Sequence, residues 1–240
     1  MTGGRGWRGE GVERLSARPV DVINVLVGGG LKHRLAPRGA RVNRTPSKCE
    51  RQRRAMTQKH CKPLRILTWH VHGSYLYYLS HTPVEFYLLS KPDRSPGYVG
   101  RRGHFPWGPN VHDMPVSEVQ SHAFDCILFQ SHTHYLKDQH EILSPAQQRL
   151  PRIFLEHDPP RVHPTDTKHP VDDAETLLVH VTHFNRLMWD NGRTPTRVIP
   201  HGITLPTGVH YRGDKARGLV VVNHLARRGR RLGADVYAEA

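Results

Sequence analysis

Short apolar runs alternate along the chain with segments whose apolar residues recur every three or four positions. Several of these runs are unbroken and aliphatic, as in strands of a parallel sheet that helices cover on both faces. The runs that predict strands are 64–67, 85–89, 111–114, 125–130, 153–155, 176–181, 196–199 and 218–222. The alternation predicts an α/β fold with a Rossmann-like, doubly wound parallel sheet.

Three segments between these runs have a helical pattern. The first is predicted to begin at Ser74, as its N-cap, and to lay Leu76 and Leu79 on the sheet. The second spans 135–143, with Tyr135, Leu136, Ile142 and Leu143 on one face. The third is predicted to be capped by Thr182 and to pack through an apolar face. That face comprises Phe184, Leu187 and Met188.

Positive charge is concentrated in the amino-terminal quarter. Residues 1–62 hold 15 of the 35 Lys and Arg but 4 of the 21 Asp and Glu, which gives +11 and leaves +3 for the rest. This segment is predicted to be a basic, disordered tail, and Met56 is well placed to be the true translation start. Nucleic-acid binding by the tail is an alternative function. Because the tail has no aromatic interleaving beyond Trp7, no nucleic-acid partner is expected.

The remaining chain divides by composition. Residues 63–205 are predicted to form one Rossmann-like domain. Residues 206–217 are polar and predict a connector between domains. Residues 218–240 read as the first strand and helix of a second domain whose remainder is missing, because one strand and a partial helix cannot bury themselves.

Cysteine spacing and hydropathy limit the cellular setting. Cys49, Cys61 and Cys126 form no CxxC pair, so neither a disulfide framework nor a structural zinc site is predicted. The apolar run 20–31 is interrupted by Asp21 and lacks a clean cleavage pattern, which argues against a signal peptide. No stretch reaches the ~20 apolar residues of a membrane span. A cytoplasmic location follows, with peripheral membrane contact left open.

Nineteen histidines raise the question of a metal site. His70 and His72 form an HxH pair after a predicted strand, and His132/His134 and His180/His183 are further close pairs. A metal-dependent hydrolase is therefore an alternative function. Such hydrolases need a full eight-stranded barrel with further ligands in order, and the predicted domain 63–205 has too few strands for it, so no metal is predicted. Nucleophilic catalysis has no support, because there is no GxSxG elbow.

The predicted carboxyl ends of strands carry polar and glycine residues. His72 and Gly73 follow the first strand, and two prolines fix the exit of His157 and Asp158 from another. The basic turn 227–231 follows the run 218–222. If the turn at His72 and Gly73 faces the basic turn 227–231, backbone N–H groups and arginines could together hold a diphosphate.

Four segments in this order resemble the glycosyltransferase family 4 type of two-domain (GT-B) nucleotide-sugar transferases. The resemblance covers the whole amino-terminal domain and only the opening of the carboxy-terminal one. The segments are LRIL with the turn HVHGS, PRIFLEHD, VTHF through VIPHGI, and NHLARRG. The third is similar to a family segment ending in VIPNG, with His201 where asparagine is usual. The fourth is similar to the turn that meets the donor diphosphate.

The resemblance implies transfer of a sugar from a nucleotide-diphosphate donor to a glycan or lipid-linked acceptor, with retention and without a required metal or cofactor. It implies that residues 63–205 are the acceptor-side lobe of a GT-B fold. Carried over by position, His157 would be the catalytic residue that touches the transferred sugar. The implied substrate-binding residues are His72, Gly73, Asp158, Thr182, His201 and Gly202, and the implied donor-phosphate residues are Arg227, Arg228 and Gly229.

The fourth segment departs from the family pattern. Asn223 and His224 replace the usual Gly-Arg, so one expected charge is absent or comes from a neighbouring arginine. The family's pair of glutamates that grips the donor lies in sequence that this chain does not contain. The resemblance therefore implies a truncated donor-binding lobe and poor turnover.

Overall fold

The computed structural model of the chain describes residues 62–239. The predicted tail up to residue 61 and the Met56 start lie outside this range. The described chain forms two units, 62–203 and 204–239. The first unit contains seven strands. They are β1 (Arg65–Thr68), β2 (Glu85–Ser90), β3 (Val111–Pro115), β4 (Cys126–Phe129), β5 (Arg152–Glu156), β6 (Thr176–His180) and β7 (Thr196–Val198).

The seven strands form one sheet in the order β3-β2-β1-β4-β5-β6-β7, and every pairing is parallel. This confirms the predicted α/β class and Rossmann-like parallel sheet. Successive strand residues point to opposite faces, and both faces are buried. Ile66 packs in one core cluster with Leu128, while Leu67 packs in the other with Phe129. Burial on both sides explains why these strands are continuously apolar.

Short helices flank the sheet of the first unit. They are α1 (Gly73–Leu79), α2 (Gln139–Ile142) and α3 (His183–Met188), with a π-helical turn at His134–Asp138 and 3₁₀ turns at Val116–Ser121 and Gln147–Arg149. The predicted helix over 135–143 is therefore a π turn followed by a single α turn. In residues 62–239, no helix is both long enough and apolar enough to cross a membrane.

Three details of the predicted helices are wrong. Ser74 lies inside α1, whose N-cap is His72 without a side-chain bond. Leu136 is 51% exposed, because the π turn changes the side-chain spacing on which the predicted face depends. In α3, Phe184 and Leu187 are exposed, and the buried residue is Asn185, whose amide donates to the His157 carbonyl just after β5.

The long connection 91–110 has no regular structure but does contribute to the core. Tyr98 is 5% exposed and lies in the same core cluster as Trp69. The loop is held by backbone bonds, such as that from the His70 N–H to the Gly97 carbonyl. The glycine, proline and arginine content of 91–110 predicts a loop that packs nothing into the core, and that prediction is wrong.

The second unit contains α4 (Leu225–Arg228), a 3₁₀ turn at Gly229–Leu232 and α5 (Ala234–Glu239). The strand predicted at 218–222 does not form. Leu219 and Val221 are more than 80% exposed, and the described residues of this unit include no strand with which the run could pair. An apolar run alone does not make a strand, because its backbone groups need a neighbouring strand.

The predicted cap of α3 is confirmed, since Thr182 Oγ1 accepts the Asn185 N–H at 3.0 Å. We expect Thr182→Ala to lower the free energy of unfolding by about 1 kcal/mol, the usual cost of losing a capping bond. Thr133→Ala is the control, because Thr133 precedes the π turn without a side-chain cap bond. Urea denaturation measures both. Equal midpoints for the two variants would contradict the capping role.

Candidate functional site

The candidate site lies at the carboxyl edge of the sheet, where β1 and β4 are neighbours. From β1 the chain continues to β2 and β3 on one side, and from β4 it continues to β5, β6 and β7 on the other. The connections that follow β1 and β4 therefore run in opposite directions and leave a crevice between them. Three segments meet there: 71–73 after β1, 130–133 after β4 and 156–158 at the end of β5. The topology therefore brings together residues far apart in sequence.

The first cleft, of about 560 Å³, contains five of the residues predicted as site residues. Its lining consists of Val71, His72, Gly73, Ser74, Tyr75, Tyr78, His157, His201, Gly202 and Ile203. The ring centroids of His72 and His157 are 4.1 Å apart, and that of Tyr75 is 4.6 Å from His157 and 4.8 Å from His201. The structure thus brings together His72, Gly73, His157, His201 and Gly202.

The three imidazoles of the first cleft are uncharged at neutral pH. Burial, followed by repulsion from His72 and His201, lowers the pKa of His157 to about 3. Partial burial lowers the pKa of His72 and of His201. Burial raises the pKa of Tyr75 to about 12, so its hydroxyl stays protonated. The cleft therefore presents neutral donors, acceptors and aromatic faces.

Buried polar side chains fix the segment that carries His157. His157 Nε2 donates to Gln130 Oε1 at 3.2 Å, which leaves Nδ1 as its acceptor. Asn185 Nδ2 donates to the His157 carbonyl at 3.0 Å, and Trp189 Nε1 donates to the Asp158 carbonyl at 2.9 Å. Gln130, α3 and Trp189, the C-cap of α3, therefore position the end of β5 through hydrogen bonds.

A second cleft, of about 530 Å³, adjoins the first and shares Val71, His72 and His157 with it. Its lining includes Glu156, a carboxylate that is 6% exposed. Glu156 Oε2 accepts from His169 Nε2 at 3.0 Å and His132 Nε2 at 3.1 Å, and Oε1 accepts the Asp158 N–H at 2.8 Å. Burial alone would raise the pKa of Glu156, but the three hydrogen-bond donors favour the charged carboxylate more strongly than burial disfavours it. The pKa of Glu156 is therefore well below its ordinary value.

His132, Glu156 and His169 are also the group of described side chains whose ligand atoms lie close enough to hold a metal, within 4.8 Å of one another. The protonation of His169 opposes that use. Its Nδ1 accepts the Val171 N–H at 3.0 Å, so in the neutral ring Nε2 carries the proton and donates to Glu156. A metal on Nε2 would need the opposite tautomer and would set two N–H groups against each other.

The HxH pair is not arranged as a metal site in the described part of the chain. His70 Nδ1 donates to the Gly100 carbonyl at 2.6 Å, and its ring packs against Trp107. His72 instead lies beside His157 in the first cleft. Residues two apart on a strand share a face, which would favour metal binding by an HxH pair. Both histidines come after the end of β1, so this arrangement does not form.

The other five predicted site residues have different surroundings. Asp158 lines the second cleft and pairs with Arg161 at 2.5 Å. Thr182 caps α3 and lines neither cleft. The predicted phosphate residues Arg227, Arg228 and Gly229 belong to the second unit, where both arginines are exposed at the end of α4.

Sequence reasoning missed Gln130, His169 and Asn185, and it considered His132 only as one of a close pair with His134. Gln130 and His132 directly follow β4, so the rule that selected His157 after β5 could have selected them. His169 comes from an irregular connection and has no periodic signal.

No family model matches the chain, and neither a curated protein nor a solved structure matches it.

Proposed function

We propose that residues 63–205 are the acceptor-side lobe of a glycosyltransferase that takes a sugar from a nucleotide-diphosphate donor. One observation carries the proposal: His72, Gly73, His157, His201 and Gly202 line a single cleft at the carboxyl edge of the sheet. The resemblance to GT-B transferases implies a substrate role for each of these five residues, and they come from three separate segments of the chain.

The chemistry of the first cleft supports an uncharged sugar as ligand. The neutral imidazoles of His72, His157 and His201 can each accept or donate a hydrogen bond to a hydroxyl group. Tyr75 and Tyr78 add aromatic surface against which the apolar face of a sugar ring can pack. A strongly anionic ligand would bind less favourably in this cleft, because the three imidazoles carry no positive charge at neutral pH.

In this proposal His157 contacts the transferred sugar, and Gly73 with His72 lies next to it at the start of α1. His201 and Gly202 close the cleft on the side of β7. Thr182 acts indirectly, by capping the helix that holds His157. Arg227, Arg228 and Gly229 keep the donor-phosphate role that the resemblance implies. The acceptor is a glycan or a lipid-linked molecule, and no metal or cofactor takes part.

Saturation-transfer NMR on the full chain tests the proposal. The probes are UDP-glucose, GDP-mannose and the methyl glycosides of glucose and mannose. We expect at least one sugar ring to receive saturation from the protein, and His157→Ala to weaken that binding about ten-fold, or about 1.4 kcal/mol. The control is His140→Ala, because His140 is exposed and lies outside both clefts.

The result would also separate the alternatives. Failure of every sugar to receive saturation would overturn the proposal. Saturation confined to the nucleotide base, unchanged in His157→Ala, would show nucleotide binding elsewhere. Stoichiometric zinc or manganese in the purified protein would favour the metal-dependent hydrolase instead.

A further inference from the structure

The second cleft contains a histidine held by a buried carboxylate, an arrangement that the proposed function does not use. His132 is 40% exposed at its side chain, whereas its partner Glu156 is 8% exposed. Because Glu156 Oε2 accepts from His132 Nε2, the neutral ring keeps an unprotonated Nδ1. A carboxylate that fixes the tautomer of an accessible imidazole is the usual way in which a histidine base is oriented.

Glu156 is poorly suited to be the base itself. Its two oxygens receive three hydrogen bonds, from His132, His169 and the backbone of Asp158. His169 is fully buried at its side chain and cannot reach a ligand. The cluster therefore has one accessible member, His132, and two members that hold it in place.

A second observation points to a ligand in the same cleft. Gln130 is 6% exposed and lines the cleft, and its Nε2 has no hydrogen-bond partner. Its Oε1 accepts from His157 Nε2 at 3.2 Å, which leaves Nε2 as the end of the amide without a bond. An unsatisfied buried donor costs free energy, and a ligand hydroxyl oxygen could satisfy it.

We propose that His132 is a general base for a hydroxyl group bound in the second cleft, with Glu156 as the residue that positions it. This rests on the proposed function, in which that hydroxyl belongs to the acceptor. The hydroxyl oxygen forms the bond to the anomeric carbon on the face from which the diphosphate departs, which gives the retention that the resemblance implies. The bond from that carbon to the diphosphate breaks with its electron pair leaving on the diphosphate. The hydroxyl proton passes to Nδ1 of His132. The clefts share His72 and His157, so acceptor and sugar would meet there.

The first measurement is the tautomer of His132 in the unaltered full chain, from long-range ¹H–¹⁵N spectra at pH 7.5. We expect a protonated Nε2 and an unprotonated Nδ1. The Nδ1–H tautomer would overturn the proposal. Addition of ZnCl₂ is a second arm of the same experiment. Stoichiometric binding that shifts the Nε2 resonances of His132 and His169 would also overturn it, because the cluster would then be a metal site.

The second measurement is acylation of individual histidines by diethyl pyrocarbonate, followed by mass spectrometry. His112 is a matched control, because its side chain is 39% exposed and its Nε2 donates to Glu85 at 2.5 Å, outside both clefts. We expect the methyl glycoside that binds by NMR to slow acylation of His132 about ten-fold, or about 1.4 kcal/mol, and to leave His112 unchanged. Glu156→Gln should remove the tautomer preference of His132 and leave that of His112.

The outcomes distinguish the two proposals. Glycoside binding that leaves the acylation of His132 as fast as without sugar overturns the base and leaves the sugar site standing. Absence of glycoside binding to the unaltered chain overturns the proposed function, and the hydroxyl ligand of His132 with it. The tautomer measurement needs no variant, so a folding defect in Glu156→Gln would not prevent a decision.

Discussion

The free energy of unfolding should fall steeply as the pH is lowered from 7 to 4. Burial lowers the pKa of five described histidines, His72, His134, His157, His180 and His201. For His134 the pKa falls to about 4, and for His157 to about 3. In the unfolded chain these side chains regain the ordinary value of about 6.5. Below pH 6.5 the unfolded state therefore binds more protons than the folded state.

The sign follows from this difference in proton binding. A histidine with a lowered pKa in the folded state stabilises the fold fully above pH 6.5, and this stabilisation is lost progressively as the pH falls. At pH 4, His134 and His157 each account for a loss on the order of 3 kcal/mol, against a total stability of roughly 5–15 kcal/mol for a domain. Glu156 also has a lowered pKa in the folded state, so its carboxylate stabilises the fold. This contribution is lost only below about pH 4.5, where the side chain of the unfolded chain begins to bind a proton.

Urea denaturation at several pH values between 7 and 4 measures the effect. His134→Phe should flatten the pH dependence, since it keeps the ring that stacks on Trp69 and removes the buried group whose Nδ1 has no partner. His140→Gln, at an exposed position, should leave the slope unchanged. A stability that stays constant between pH 6.5 and 4.5 would contradict the prediction.

The sheet could be predicted from the sequence because its strands are buried on both faces. Runs such as 126–129 are apolar without interruption, as strands of a parallel sheet covered on both faces are. The first cleft was also within reach, because the carboxyl ends of parallel strands meet at one edge. His72, Gly73 and His157 gather there by topology alone.

The failures concern features that depend on contacts distant in sequence. The run 218–222 looks like a strand, but a strand also needs a partner, and a sequence pattern does not supply one. The sequence pattern predicts an apolar face for α3, whereas the buried residue of this helix is Asn185. Asn185 is buried because its amide donates to the His157 carbonyl just after β5. His169 could not be found from spacing, because it reaches Glu156 from an irregular segment.

Gly73 has a structural requirement besides the substrate-binding role that the resemblance implies. A Cβ at this position would lie 2.7 Å from Cε2 of Phe105 and 2.9 Å from Nε2 of His70. Phe105 belongs to the loop 91–110, and its ring stacks on Tyr77 of α1. Glycine at the start of α1 therefore allows the loop to pack against the helix.

We expect Gly73→Ala to lower the free energy of unfolding by about 1–3 kcal/mol, as overpacking of a closed contact does. Phe105→Leu should cost less in the Gly73→Ala background than in the unaltered chain, because the smaller side chain relieves the clash. Urea denaturation of the two single variants and the double variant gives the coupling energy directly. Gly202→Ala is the control, since no atom lies within 4 Å of its Cβ position in the same cleft.

The same variants separate packing from ligand contact at Gly73. If packing alone selects glycine, the double variant recovers stability and binds the probe sugars as the Phe105→Leu protein does. If a ligand also approaches the backbone there, sugar binding stays weak in the double variant although its stability has recovered, because the added methyl group remains in the cleft. If the effects of Gly73→Ala and Phe105→Leu on the free energy of unfolding are additive, contact with Phe105 is not the reason for glycine at position 73.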